Sequence, residues 1–429
     1  MTSSSPMFSD TIFALVLVLL LLAPLSIVGL ALINTGLGRS RSAAQSILGS
    51  LALVSAAGLV FALFGATFAD GFSGAGHTFS LAGKTWSWAG TGPVALSGFA
   101  TETGREQLSV LFQFLAVALA VLIPWGSGAD RWRMPAGIAT AAVLAGLVFP
   151  FVAHWTWTTG WLATLGANFD MGVGFLDGGG AGAVHVLGGL SALAVVWIAG
   201  PRRGKFPREG LSTAMPGHNA IYVLFGCGVA LVGWLAFNAA GSLLWLNAAP
   251  AALPVVALNT WLSASAALSA TFIITRVRFG KPDASLCANG WLAGLVTSSA
   301  CAGVVTPMEA LVTGFIAGLV TPLLVEFLEL AVALDDPSGA ISVHAASGLW
   351  GLFAAGVFAP RQGQLAAQLV GIATLLGIVL PLVYLLFWLM NRVIPFRADA
   401  DGERIGMDLH ELGGGAYPEF VVHRDDSYR

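Results

Sequence analysis

The sequence predicts an all-α polytopic membrane protein with eleven transmembrane helices. They form a 5+5 inverted repeat plus one helix, with the N-terminus outside and the C-terminus inside. Three observations carry this prediction. Of 429 residues, 56% are hydrophobic and only 10% charged, and the mean hydropathy is +0.82. Soluble domains carry about 25% charge, so a soluble enzyme and a disordered chain are excluded. Eleven apolar runs approach or exceed the roughly 20 residues that a bilayer-spanning helix needs. Once those runs are taken as spans, sixteen of the nineteen basic residues fall on one side. A net charge of −3 offers no basic footprint for nucleic acid. Cys227, Cys287 and Cys301 are scattered in apolar runs without C-x-x-C spacing, which gives no metal or redox motif.

In order, the spans cover 11–37, 47–69, 107–128, 136–159, 183–200, 218–241, 254–275, 285–304, 308–333, 341–359 and 366–394. No basic residue precedes the first run, and it is much longer than the ~7–15 residues of a signal h-region. It therefore reads as a retained span, with a cleaved signal as the alternative. Arg39 and Arg41 follow it directly and set the orientation by the positive-inside rule. Only Lys84, Arg105 and Arg361 then lie outside. A missed or extra span would scramble this bias downstream. The expected organisation is an outer segment 1–10, a first five-helix repeat 11–200, a cytoplasmic linker 201–217, a second repeat 218–360, the eleventh helix 366–394 and a cytoplasmic tail 395–429.

The fifth and tenth spans echo each other. Val184-His185-Val186-Leu187-Gly188-Gly189-Leu190 matches Val343-His344-Ala345-Ala346-Ser347-Gly348-Leu349 as V-H-x-x-x-G-L, and an aspartate precedes each histidine by eight residues: Asp177 and Asp336. A five-span unit repeated once must reverse its direction, and inverted repeats in transporters place their site near the midplane. Eight residues at 1.5 Å rise put each histidine about 12 Å from its own face. In a hydrocarbon core of about 30 Å, the two rings then differ in depth by only about 6 Å. They are expected to meet near the membrane centre. A buried structural histidine is the alternative, but ionisable groups in a bilayer mark transport pathways by default. Asp177 reads as a helix N-cap and also as a local attractor of cations. Gly182, Gly188, Gly189 and Gly348 fit either close packing or a narrow pore, and Asp335-Asp336-Pro337 reads as a cap and turn.

On these residues the chain resembles the ammonium transporter/methylammonium permease/Rhesus (Amt/Mep/Rh) family. The family's Asp-x-x-Gly-x-x-x-Val-His element corresponds to Asp177–His185, and its Asp-Asp-Pro-x(6)-Val-His element to Asp335–His344. Asn289-Gly290-Trp291-Leu292-Ala293-Gly294-Leu295-Val296 and Gly233-Trp234-Leu235-Ala236-Phe237-Asn238-Ala239 agree as well. The resemblance implies homotrimers in the cell (inner) membrane, with one hydrophobic pore per subunit. It further implies ammonium recruitment outside, deprotonation, and passage of ammonia past the pair His185 and His344. Asp177 becomes the aspartate below the outer vestibule and Trp157 the vestibule tryptophan, with an interfacial belt residue as the alternative for Trp157. Phe237 becomes the lower gate phenylalanine, with ordinary packing as its alternative.

Two recruitment positions depart from the family pattern. Ala116 stands where the upper gate phenylalanine is expected, and Gly241 where the vestibule serine is expected, with Ser242 one residue late. Phe112, one helical turn from Ala116, is positioned to refill the volume, and Asp170 is a candidate replacement attractor. In the tail, Leu412 and Gly414 replace the family's His and Glu, which speaks against docking of a PII-class signalling protein. His154 is expected to make an interfacial hydrogen bond. His77 lies in the long outer loop, and His218, His410 and His423 lie near inner segments. None has metal-pair spacing. No H-E-x-x-H or G-x-S-x-G run appears, so no enzyme and no cofactor are expected. An ammonium sensor, or a channel for another small neutral solute such as carbon dioxide, is the alternative to an ammonium transporter.

Overall fold

The computed structural model describes residues 9–70, 76–209 and 212–420. The expectations for residues 1–8 of the outer segment and for His423, Arg424 and Arg429 lie outside the described residues. Among the described residues, ten helices are long and apolar enough to cross a membrane. They are α1 (Asp10–Leu37), α2 (Ser40–Ala69), α3 (Gly104–Ser127), α4 (Met134–Trp157), α5 (Ala181–Ala199), α6 (Ala220–Leu244), α7 (Pro250–Phe279), α9 (Pro307–Leu330), α10 (Ile341–Phe358) and α11 (Gln364–Val393). Between α7 and α9 lies α8, Ala284–Cys301, a shorter and more polar helix of 18 residues that buries Asn289, Thr297, Ser298 and Ser299. Each helix falls on one of the apolar runs, because helix starts are written locally. Thr103 and Glu106 form a capping box at α3, and Thr306 and Glu309 form another at α9. Asn219 caps α6 and Asp283 caps α8.

The packing repeats as the sequence does. α3 packs on α5 as α8 packs on α10, and α2 packs on α4 as α7 packs on α9. The two repeats meet where α1 lies along α6 and α5 along α10, while α11 lies across both α5 and α10. Backbones approach closely at these seams. A Cβ at Gly29 of α1 would sit 2.6 Å from the Gly226 carbonyl oxygen of α6, which is how small residues serve membrane helix contacts. One at Gly189 of α5 would overlap the Ala345 backbone of α10. Gly189 is thus a packing glycine, and it brings the two histidine-bearing helices together.

Two features correct the sequence reading. The long loop after α2 carries regular structure that the sequence reading did not include: Gly76–Leu81 (β1) and Lys84–Gly90 (β2) form an antiparallel hairpin containing His77. The hairpin adds to a fold that is mostly helical, as the sequence predicts. His154, expected at an interface, is fully buried beneath this hairpin, with Nε2 2.8 Å from Ser87 Oγ and Nδ1 2.8 Å from Thr158 Oγ1. At the opposite end of the bundle the tail folds back on its own chain. Asp408 accepts from the amides of Ala44 and Gln45, and Glu411 from that of Met134. These carboxylates meet unsatisfied amides in the first turns of α2 and α4, where helix ends favour negative charge.

Candidate functional site

The starts of α5 and α10 share one local design. Asp177 Oδ2 accepts from the amides of Gly182 and Ala183 at 3.0 and 2.8 Å, and Asp336 Oδ2 from that of Ile341 at 2.8 Å. Gly180 and Gly339, three residues after each aspartate, hold φ of +77° and +69°, a region glycine enters without a Cβ penalty. Each helix then opens with a π-helical turn, Ala181–Val186 and Ile341–Ala346, a widening often found at functional sites. His185 and His344 sit in these turns.

The two imidazoles meet. His185 Nδ1 and His344 Nδ1 are 3.3 Å apart, with ring planes 26° from parallel, and both residues are buried. An N···N contact of this length needs one proton between the rings, so one Nδ1–H donates to the other Nδ1. In the neutral pair one Nε2 is then a donor and the other an acceptor. Trp234 stacks on His185 at 5.0 Å and 8°, and its Nε1 donates to Ser299 Oγ. It fixes the ring orientation. Trp234 lies inside a motif the sequence offered, but only its contact gives it this role.

Toward the hairpin end a cavity of about 750 Å³ opens, lined by Trp157, Trp245, Asp177, Thr156, Arg105 and Arg361 among others. Trp157 Nε1 donates to the Asp177 carbonyl oxygen. Trp245, which the sequence reading passed over, stacks parallel to Trp157 at 5.6 Å and 10°. Beneath them Phe112 and Phe237 stack at 4.2 Å, with Phe112 edge-on to both tryptophans. Phe237 is one turn of α6 from Trp234, so this aromatic floor lies about one turn from the histidines. Phe112 and Ala116, one turn apart on α3, are both fully buried. Asp170 is not among the cavity-lining residues and ends the short helix Leu165–Phe169 instead.

Gly241 has a tertiary cause. A Cβ there would overlap the Gly178 carbonyl oxygen and come within 3.2 Å of the Phe112 ring. Overpacking of this kind costs about 1–3 kcal/mol. Gly241→Ser is therefore expected to lower the thermal midpoint of the detergent-purified protein. An unchanged or raised midpoint would show that the site has room for the hydroxyl.

At the tail end an ionic cluster ties the same two helices. Arg202, just after α5, donates Nε and Nη2 to Asp335 Oδ2 and Oδ1, both at 2.9 Å, and Nη1 to Asp130 at 3.1 Å. Arg131 Nη2 donates to the Asp335 carbonyl oxygen. Asp335 is thus more than the turn residue its sequence suggests. Burial alone would raise its pKa, but the Arg202 hydrogen bonds and the Arg131 charge outweigh burial and hold the carboxyl at about 2.

The model of the Ammonium Transporter Family matches residues 13–417. The chain is 32% identical over 415 residues to the ammonium transporter Amt2 of Archaeoglobus fulgidus, covering 92% of this chain and 85% of that one. Among solved structures it is similar to one titled a sensor Amt protein, with TM-score 0.83 and 27% identity, covering 93% of this chain and 97% of that one. It also shares the fold of Mep2 from Candida albicans, with TM-score 0.77 and 21% identity, covering 95% and 90%.

Proposed function

The chain belongs to the Ammonium Transporter Family, and from that premise we propose that it recruits ammonium at the hairpin-end mouth and conducts ammonia past His185 and His344. The observation that carries the reading is the buried 3.3 Å contact of the two imidazoles between antiparallel repeats. A hydrated cation crosses about 30 Å of hydrocarbon only at great cost, whereas neutral ammonia passes. A dry path with one polar element at its centre therefore rejects ions and admits a small amine. The pair's free donor and acceptor suit ammonia, which both gives and accepts hydrogen bonds, and offer a route for a relayed proton.

In this reading all eleven helices cross the cell (inner) membrane, with the hairpin outside and the tail inside, and the subunits form homotrimers. The repeats span 11–200 and 218–360, joined by the 201–217 linker. Trp157 holds the arriving cation on its π face, Asp177 caps α5 below the mouth, and Phe237 with Phe112 gates the path. Engagement of Asp408 and Glu411 within the chain supports an internal brace rather than a dock for a PII-class signalling protein.

Ala116 and Gly241 remove a ring and a hydroxyl from recruitment, so ammonium is expected to bind the outer site more weakly than in relatives carrying Phe and Ser there. Calorimetry on the purified protein checks this, and high-affinity binding would contradict it. Transport itself is tested in cells lacking other ammonium transporters. The chain is expected to confer methylammonium uptake and growth on limiting ammonium, and absent uptake by membrane-inserted protein would overturn the reading. A sensor is the second reading, favoured by the likeness to the sensor Amt protein. It requires ligand binding with negligible flux.

A further inference from the structure

We propose that the foot of the hairpin is a phospholipid contact, in which Trp88 and His77 engage the headgroup layer of the outer leaflet. The inference rests on the hairpin lying at the outer face of the membrane. It goes beyond the transport reading by naming a second surface and its ligand, and neither residue lines the mouth cavity.

Trp88 is 46% exposed, although its strand neighbours Ser87 and Ala89 are buried. Its ring lies nearly parallel to that of Phe151 of α4, at 5.8 Å and 10°, and Phe151 stacks in turn on Phe68 of α2 at 5.7 Å. Four residues deeper in these helices, Phe64 and Leu147 are exposed, and exposed apolar side chains on spanning helices meet hydrocarbon. Four residues of helix rise about 6 Å. Trp88 therefore caps an apolar strip that runs down α2 and α4, close to the outer ends of both. The polar groups fit the same layer. His77 is exposed and stacks on Trp88 at 5.8 Å. Neither the Trp88 indole N–H nor the His77 imidazole is hydrogen-bonded among the described residues. An imidazole keeps at least one N–H donor in either protonation state. An indole joins an apolar face to a donor, which is why tryptophan concentrates where hydrocarbon meets headgroups. Phosphate and ester oxygens are acceptors, and Gly76–Gly90 carries Lys84 and no acid to repel them.

The contact reaches the mouth through the backbone. The Trp88 carbonyl oxygen accepts from Trp155 Nε1 at 2.7 Å, and that of Ser87 from the amide of Trp161 at 3.0 Å. Trp155 and Trp161 flank Trp157 and Thr158 of the cavity wall. A lipid seated on the hairpin foot thus braces the segment that forms the mouth. A neighbouring subunit or a soluble protein is the competing occupant, and continuity with the lipid-facing strip selects the bilayer.

Nitroxide labels on added cysteines read this contact in the full chain, reconstituted in phosphatidylcholine nanodiscs, since the three native cysteines are buried. His77→Cys places the label beside an intact Trp88. Leu63→Cys, exposed on α2, gives the hydrocarbon reference, and Asp401→Cys, whose native side chain is 81% exposed, gives the water reference. Accessibility to oxygen relative to a water-soluble nickel chelate is expected to be several-fold higher at 77 than at 401, and lower than at 63. Adding Trp88→Ser to His77→Cys is expected to bring the ratio toward that at 401. A ratio at 77 equal to that at 401 overturns the proposal, and so does exclusion of both reagents, which marks a protein partner. An unchanged ratio in the folded Trp88→Ser/His77→Cys variant overturns it as well. Should that variant not fold, the comparison of 77 with 401 decides. Water exposure at 63 would sink the membrane placement itself, whereas lipid at 63 with water at 77 sinks this inference alone.

Discussion

Replacing either His185 or His344 with alanine is expected to cut ammonium-dependent uptake about 10- to 100-fold. Each ring holds its neighbour through the 3.3 Å Nδ1 contact, and both are buried. Removing one strands the other's polar nitrogen in a dry environment and deletes the donor or acceptor offered to the solute. A buried group left unpaired costs about 1–3 kcal/mol, and each 1.36 kcal/mol added to a barrier is tenfold in rate. Trp234 adds a check on the His185 side, since its stacking at 5.0 Å orients that ring. Uptake of methylammonium by cells expressing each variant, normalised to protein in the membrane, measures the effect. Wild-type uptake by either variant would remove the histidine contact from the pathway.

Asp335→Ala is expected to be the most destabilising single change, at about 3–5 kcal/mol. Its carboxylate takes a two-pronged bond from Arg202 and sits 3.8 Å from Arg131, and both guanidinium groups are buried. Deleting the acid leaves buried charge uncompensated, which costs more than the pair contributes. The loss reaches the histidines mechanically, because Arg202 follows α5 and Asp335 precedes α10. Thermal unfolding in detergent is the measurement. Asp335→Ala is expected to fall far below wild type, and the double variant Asp335→Ala/Arg202→Met to recover part of the loss. The pH dependence has a fixed sign: a carboxyl held at about 2 contributes stability above its unfolded pKa of about 3.9. That contribution disappears as the pH falls from there through about 2. A midpoint for Asp335→Ala equal to that of wild type would show the cluster to be dispensable.

What was legible in the sequence was whatever the bilayer enforces. Apolar run length marked where helices lie, and the doubled Asp/His spacing placed His185 opposite His344, since helix rise converts residue number directly into depth. The ionic role of Asp335 was not legible because its partner Arg202 is 133 positions away, and an ion pair so distant in sequence leaves no local pattern. The hairpin was missed because its two-residue turn is Ala82-Gly83, with φ of 52° and 71°. An asparagine is the usual signal for the first position of such a turn. Alternation in Thr78-Phe79-Ser80-Leu81 and Thr85-Trp86-Ser87-Trp88 was the cue available. Gly241 looked like a lost serine, yet its reason is the Gly178 carbonyl oxygen pressed against it. Trp245 stood outside every motif, and only the folded mouth stacks it on Trp157.

We propose that the paired imidazoles lie on the path of ammonia. Flux into proteoliposomes tests it most directly, comparing wild type with the His185→Ala/His344→Ala double variant at equal reconstitution, with ammonium, methylammonium and carbon dioxide as solutes. Wild type is expected to show rapid ammonium and methylammonium entry and no protein-dependent carbon dioxide entry, and the double variant near-background entry of all three. Ammonium flux of wild-type size through the double variant would contradict it.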